Sequence, residues 1–337
     1  MWNKEFTGYL ALFLLFSSCS PYKDTTHPLD LQKATCREIP IKRLCKRIEL
    51  IPLEESGDTL GKLGKMAVSD QRLFIQDRDN RILSWKMDGK EPLAYHTATA
   101  ITDFSLYEDQ SLEILSDDNV LEYDLNGFTL KNNFQIKDTT AILVSLMRWK
   151  HMFHFIGYKE KRLYACEYYI DEGTFFPMEV SSIIPADRMP QVAANCRYFK
   201  HESDNYLYYA HSGDVFYLSW VRSPQVFWEL SGNDSIPICF DNMQKSDSRL
   251  YGTFQWKDRQ YLMILKKQEE YPLITTLTRE GLEFPLGVIR DNTNYYCCPT
   301  SELDRYVNKK VLDRENERVL DSLEDSPGAV LLKYTLP

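Results

Sequence analysis

Apolar and polar side chains alternate with a period of two in two short runs. Leu83, Trp85 and Met87 alternate with Ser84 and Lys86, and Leu121, Tyr123 and Leu125 alternate with Glu122 and Asp124. This period predicts strands with one set of side chains buried and the other toward solvent. Each strand follows a shorter apolar run, "LFI" or "LEI", across "DRDN" or "SDDN". Asp and Asn favour turns because their short side chains bond nearby backbone and tolerate left-handed dihedrals. Asp88-Gly89 and Asn126-Gly127 then give two-residue hairpin signals. The two phrases, "DQRLFIQDRDNRILSWKMDG" at 70–89 and "DQSLEILSDDNVLEYDLNG" at 109–127, are near copies of one antiparallel unit.

The opening of the phrase, a polar turn residue with apolar residues three and five positions later, recurs. It starts at Asp70, Asp109, Lys150, Asp204, Asp258 and Asn292, each time after a short apolar segment. Six copies of a unit of about 40–50 residues predict an all-β, six-bladed β-propeller. One segment breaks the rhythm. Apolar residues at 303, 306, 307, 311, 312, 319, 320 and 323 follow Ser301 and Asp304, and Pro327-Gly328 comes after them. They predict an amphipathic helical insertion over about 301–323 in the last blade, opened by a capping box and packed on the rim or base. That blade then lacks a strand, whereas 47–54 has no partner. An open ring would expose two strand edges. Residues 47–54 are therefore expected to pair antiparallel with 329–336 and close the ring.

The 337 residues carry a formal net charge of −9. The balance excludes a sequence-independent nucleic-acid binder, which needs a basic surface. The short basic run "IKRLCKR" at 41–47 reads as a solvated approach to the first strand. At the amino terminus, Lys4 precedes a mostly apolar stretch at 6–16, too short to span a bilayer, and then Ser17-Ser18-Cys19. Residues 1–18 are expected to be a lipoprotein signal peptide, Cys19 the lipid-bearing first residue of the mature chain, 19–43 a polar tether, and 44–337 the propeller. Seven cysteines remain. They show no CxxC spacing, and those in strand-like runs are expected to be buried, inert thiols.

"FSSC" at 16–19, "IELIPLEES" at 48–56, "GKLGKMAVSDQRLFIQD" at 61–77 and "SPGAVLLKYTLP" at 326–337 resemble the six-bladed β-propeller lipoproteins of gut Bacteroidetes. The resemblance covers most of the chain from about residue 44. It implies an outer-membrane lipoprotein, on the periplasmic side or the cell surface, held to the membrane through lipid on Cys19.

Motifs for chemistry are sparse. His151 and His154 stand three apart in a strand-like run, so they face opposite sides and do not share a metal. The Asp-rich turns lack the Gly and downstream Glu of a calcium loop. No cofactor is expected, and calcium is supported by no motif. Loops leading into the innermost strands of a propeller surround the mouth of its channel. There the sequence places Lys65, Asp103, Asn195, Arg197 and Arg249, with Asp187 and Arg188 from the connection at 181–197. This mix suits a polar ligand such as a sugar. The expected function is a non-catalytic binding or scaffold module for a glycan or an envelope protein. The alternatives are a calcium-dependent propeller lactonase or lyase, and a purely structural envelope lipoprotein.

Overall fold

The computed structural model describes residues 37–337 apart from 57–60, 126–128, 138–140, 180–192, 194–195, 202–203, 210–213, 220–221, 229–239, 248, 257–258, 267–272 and 324–327. The expected signal peptide, Cys19, most of the expected tether and the expected Asn126-Gly127 hairpin lie outside the described residues, as do Cys36, Cys239 and Pro327.

The first strand, β1 (Arg47–Pro52), joins a sheet completed only at the far end of the chain. Five four-stranded antiparallel blades follow, each built from consecutive strands. The first is β2 (Met66–Val68), β3 (Arg72–Arg78), β4 (Arg81–Lys86) and β5 (Leu93–His96). The second is β6 (Asp103–Tyr107), β7 (Ser111–Ser116), β8 (Asn119–Asp124) and β9 (Leu130–Gln135). The third is β10 (Ile142–Trp149), β11 (Met152–Lys159), β12 (Arg162–Tyr169) and β13 (Thr174–Glu179). The fourth is β14 (Arg197–His201), β15 (Asp204–Tyr209), β16 (Asp214–Ser219) and β17 (Arg222–Trp228). The fifth is β18 (Phe240–Lys245), β19 (Arg249–Trp256), β20 (Arg259–Lys266) and β21 (Leu273–Thr275). The last strands, β22 (Val288–Arg290), β23 (Thr293–Pro299) and β24 (Ala329–Thr335), form a composite closing sheet in the order β1-β24-β23-β22. The first strand of each sheet packs beside that of the next, and β22 packs beside β2, so the arrangement is a propeller ring.

The strand arrangement corrects the expected count of six blades. Contiguous four-stranded blades number five, and the closing sheet is a composite drawn from both ends of the chain. The repeat expected at Asp258 is out of phase with the others. Tyr261 and Met263 lie in β20, the third strand of its blade, whereas the turn equivalent to Asp70 and Asp109 is at Asp247, between β18 and β19. Polar turn residues before an apolar pair mark any hairpin of a blade, so the phrase alone does not fix which hairpin it opens.

The closing sheet has the register that the edge argument requires. Arg47 opposes Thr335, Leu50 opposes Leu332 and Pro52 opposes Val330. Leu331, Leu332 and Tyr334 of β24 are wholly buried. The insertion after β23 is two pieces, a 3-10 turn at Thr300–Arg305 and a helix, α1 (Arg314–Leu323). The capping box expected at Ser301 is absent, since Pro299 precedes the 3-10 turn without any side-chain cap. The capping side chain is Asp313, whose Oδ1 accepts the Asn316 amide at 2.9 Å, three residues into α1. Asn316 in turn accepts the Leu50 amide of β1 on its Oδ1 at 2.8 Å. The insertion thus covers the outer edge of the closing sheet and satisfies a donor on it.

The turns carry the backbone strain predicted for them. Glu108-Asp109 and Asp291-Asn292 both have left-handed dihedrals at two successive residues, the demand of a type I′ hairpin. Gly89 has φ of 83° beneath the end of β1, where a Cβ would lie 2.1 Å from the Pro52 carbonyl oxygen. Only glycine fits there.

Candidate functional site

Asp103 and Lys65 do meet at one end of the channel. Lys65 Nζ lies 2.5 Å from Asp103 Oδ1 and 5.4 Å from the centre of the Phe104 ring. The other carboxylate oxygen of Asp103 accepts the Leu146 amide of β10 at 2.7 Å. Asp103 is buried, and its oxygens tie the inner strands of the first three blades together. Asn242 does similar work elsewhere in the ring, donating from Nδ2 to the Leu286 and Gly287 carbonyls, both at 2.9 Å. These side chains act as joints between blades.

The other candidates scatter. Asn195, Asp187 and Arg188 lie outside the described residues. Arg197 opens β14, but its side chain also lies outside what is described. Arg249 does not lead into an inner strand. It begins β19, at the end of its blade opposite to the Asp103 mouth. His151 is exposed and lies 3.5 Å from Asp171. His154 is buried, its pKa lowered first by burial against the opposing pull of Glu167 at 3.8 Å. No group of three metal-ligating side chains gathers among the described residues.

Arg249 instead lines a cavity of about 420 Å³ between blade five and the amino-terminal strap at 37–44. The strap is held by backbone. The Arg37 amide donates to the Ile274 carbonyl at 3.1 Å, and the Arg279 amide donates to the Ile39 carbonyl at 3.0 Å. The Ile41 amide donates to Glu280 Oε2 at 2.9 Å. Strand register sets Arg249 opposite Lys266 and Ile264 opposite Leu273, so one face of blade five forms the floor. Arg37, Lys42, Arg43 and Arg279 stand on the rim, with Glu38 the only carboxylate side chain in the lining. The basic run at 41–47, read as a solvated approach, therefore packs partly against the body: Ile41, Leu44 and Cys45 are buried while Lys42 and Arg43 are exposed.

A second polar cluster escaped the sequence reading altogether. Ser105, Glu113, Glu122 and Asn132 oppose one another in register across the second blade. Arg148 reaches over from β10 and donates from Nη1 to Glu113 Oε1 at 2.8 Å and to Glu122 Oε1 at 3.2 Å. Its guanidinium lies 4.3 Å from the centre of the Tyr107 ring. Burial pushes the Glu113 carboxyl up to about 7, and the neighbouring Glu122 adds to the rise against the pull of Arg148. Alternation placed Ser84 and Glu122 toward solvent, yet both are buried. Blades of a propeller pack face to face, so both faces of a middle strand are interior. The available signal was the side-by-side placement of Ser, Glu, Glu and Asn in adjacent strands.

No family model matches the chain, and no curated protein matches it in sequence. Among solved structures, the chain is similar to an exported protein of Bacteroides fragilis, with a TM-score of 0.69 at 10% identity, over 93% of this chain and 100% of that one. A weaker match is the extracellular domain of a one-component system of B. thetaiotaomicron, with a TM-score of 0.44 at 9% identity, over 67% of this chain and 29% of that one. The first likeness shows a shared β-propeller fold.

Proposed function

We propose that the chain is a lipid-anchored, extracytoplasmic propeller that works as a non-catalytic binding or scaffold module. The observation that carries this reading is the way the amino-terminal strap joins the ring. The strap docks along blade five, passes through the 3-10 turn at Ile41–Arg43, and continues as β1, the outer strand of the closing sheet. A load applied at the tether is delivered along a strand paired over its whole length with β24, which suits a rigid body held to a surface. The anchor is the lipid on Cys19, and the ligand a polar glycan or an envelope protein. The exported B. fragilis neighbour is in keeping with a place outside the cytoplasm.

The test has two arms. Cys19→Ala should move the protein from the membrane fraction to the soluble fraction or stall its processing. The purified protein on a glycan array, with and without calcium, should retain a polar glycan independently of the metal. Membrane retention of Cys19→Ala at the normal mature mass would sink the anchor, and turnover of a lactone or glycan substrate in the presence of calcium would sink the non-catalytic role.

A further inference from the structure

We infer that the cavity beneath the strap is an anion site that takes a phosphomonoester group, with Arg249 at its floor and Arg43 on its rim. This inference goes beyond the anchored-module reading and does not rest on Cys19. Six cationic side chains converge there from three separate parts of the chain: Arg37, Lys42 and Arg43 from the strap, Arg249 and Lys266 from blade five, and Arg279 from the segment after β21. The protein as a whole is acidic, with a formal net charge of −9, so the excess of cations at this spot is local. Among the described residues, no carboxylate pairs with Arg37, Lys42, Arg43, Arg249 or Arg279. The nearby Glu280 is taken up by the Ile41 amide.

The floor supplies an independent sign of a missing partner. Arg249 Nε is buried without an acceptor, while the Tyr251 hydroxyl, two residues further along the same strand face, is held close by Arg249 and Ser246. A buried donor left unmade costs more than a made hydrogen bond contributes, and the cost is greater for a charged group. An anion seated against Arg249 would supply the acceptor. Arginine suits phosphate because its planar fork donates two parallel hydrogen bonds. The cavity volume of about 420 Å³ falls within the range of about 300–1,000 Å³ usual for small-molecule sites. Ile264 and Leu273 give the site an apolar wall for a short carbon stem. The phosphomonoester could belong to a soluble sugar or polyol phosphate or to a lipid headgroup, and the experiment separates these.

The full chain, purified in non-ionic detergent, is titrated calorimetrically with inorganic phosphate, with glycerol 3-phosphate, and with phosphatidylcholine vesicles with or without phosphatidic acid. Saturable binding of glycerol 3-phosphate is expected, weakened about tenfold or more in Arg249→Gln by loss of a charge-assisted contact. Arg43→Gln alters an exposed side chain, should melt as the wild type does, and should also weaken binding. Binding confined to vesicles that contain phosphatidic acid would assign the group to a lipid, and binding of the soluble phosphate to a free metabolite. Absence of saturable binding for every probe, or equal affinity in the wild type and both variants, would overturn the inference.

Discussion

Asp109 and Arg290 stand 181 residues apart in the chain and meet in a two-point clamp, with Arg290 Nη1 donating to Oδ1 at 2.6 Å and Nη2 to Oδ2 at 2.5 Å. Arg290 ends the inner strand of the closing sheet, and Asp109 is the turn residue of blade two. The guanidinium spans the end of blade one on its way, donating to the Val68 carbonyl at 3.0 Å and to Asp70 Oδ1 at 2.6 Å. The hydrogen bonds to Asp109 raise the Arg290 pKa, against the opposing effect of burial. One side chain thus fastens the carboxyl-terminal part of the ring to its first two blades.

Arg290→Gln is therefore expected to lower stability by roughly 1.5–3 kcal/mol, the range for a charge-assisted hydrogen bond that is part-buried. Asp109→Asn should act in the same direction. The double variant should cost less than the two single changes together, with a coupling of about 0.5 kcal/mol or more. Urea midpoints for the four proteins measure it, and strict additivity would mean that the clamp contributes nothing as a pair.

Asn316→Ala tests the helical insertion as a cover for a strand edge. The change leaves the Leu50 amide without its acceptor in a buried setting and should cost about 1–3 kcal/mol. Asn316→Asp keeps an acceptor but sets a second carboxylate against Asp313 Oδ1, to which Asn316 Nδ2 donates at 2.8 Å, so it should recover part of the loss in mild acid and not at neutral pH. Equal stability of Asn316→Ala and the wild type in thermal melts would remove the edge-covering role from the insertion.

The ring closure was legible because an edge strand without a partner is costly, and only one unpaired strand, 47–54, was available for 329–336. The helical insertion was legible from its 3.6-residue period, but its cap was misplaced: Ser301 and Asp304 fit the pattern on paper, whereas the chain leaves Pro299 extended and starts α1 at Asp313. The site was far less legible. Asp103 and Lys65 look like ligand groups by type, yet they are consumed in a tie between blades. Arg249, expected to lead into an inner strand, begins the second strand of its blade. The basic run at 41–47 was discounted because nothing in the sequence says that 37–44 folds back on a blade more than two hundred residues later. Contacts of that separation leave no local trace in the sequence.

Four of the five described cysteines, Cys45, Cys166, Cys297 and Cys298, should be chemically silent in the native protein. Cys45, Cys166 and Cys298 are pushed up to about 12 by burial, and burial holds Cys297 well above its ordinary value. Their thiolates, the reactive form, are then scarce at pH 8. Iodoacetamide followed by peptide mapping should leave all four unmodified in buffer and modify all four in urea. Native labelling of Cys298 faster than global unfolding would contradict this assignment.

The last prediction concerns Glu113, which is wholly buried between Ser105, Glu122 and Arg148. One guanidinium serves two carboxylates, so Glu122 keeps the ion pair even when Glu113 holds its proton. Glu113 ionises near 7 in the fold, against 4.5 for an ordinary glutamate. Because the folded value lies above the unfolded one, the unfolded chain holds fewer protons between these two values, and stability falls as pH rises. The neutral carboxyl's contribution is intact below pH 4.5, declines through 7, and is gone above it. The ionised group then carries a cost of roughly 3 kcal/mol. Glu113→Gln keeps the shape and cannot ionise. Relative to the wild type it should therefore gain stability from pH 4.5 to 8, by up to that amount, with the gain levelling off above 7. Urea unfolding of both proteins at matched pH values reads the difference directly, and a difference that does not change with pH would show that Glu113 is already ionised in the folded ring at pH 4.5.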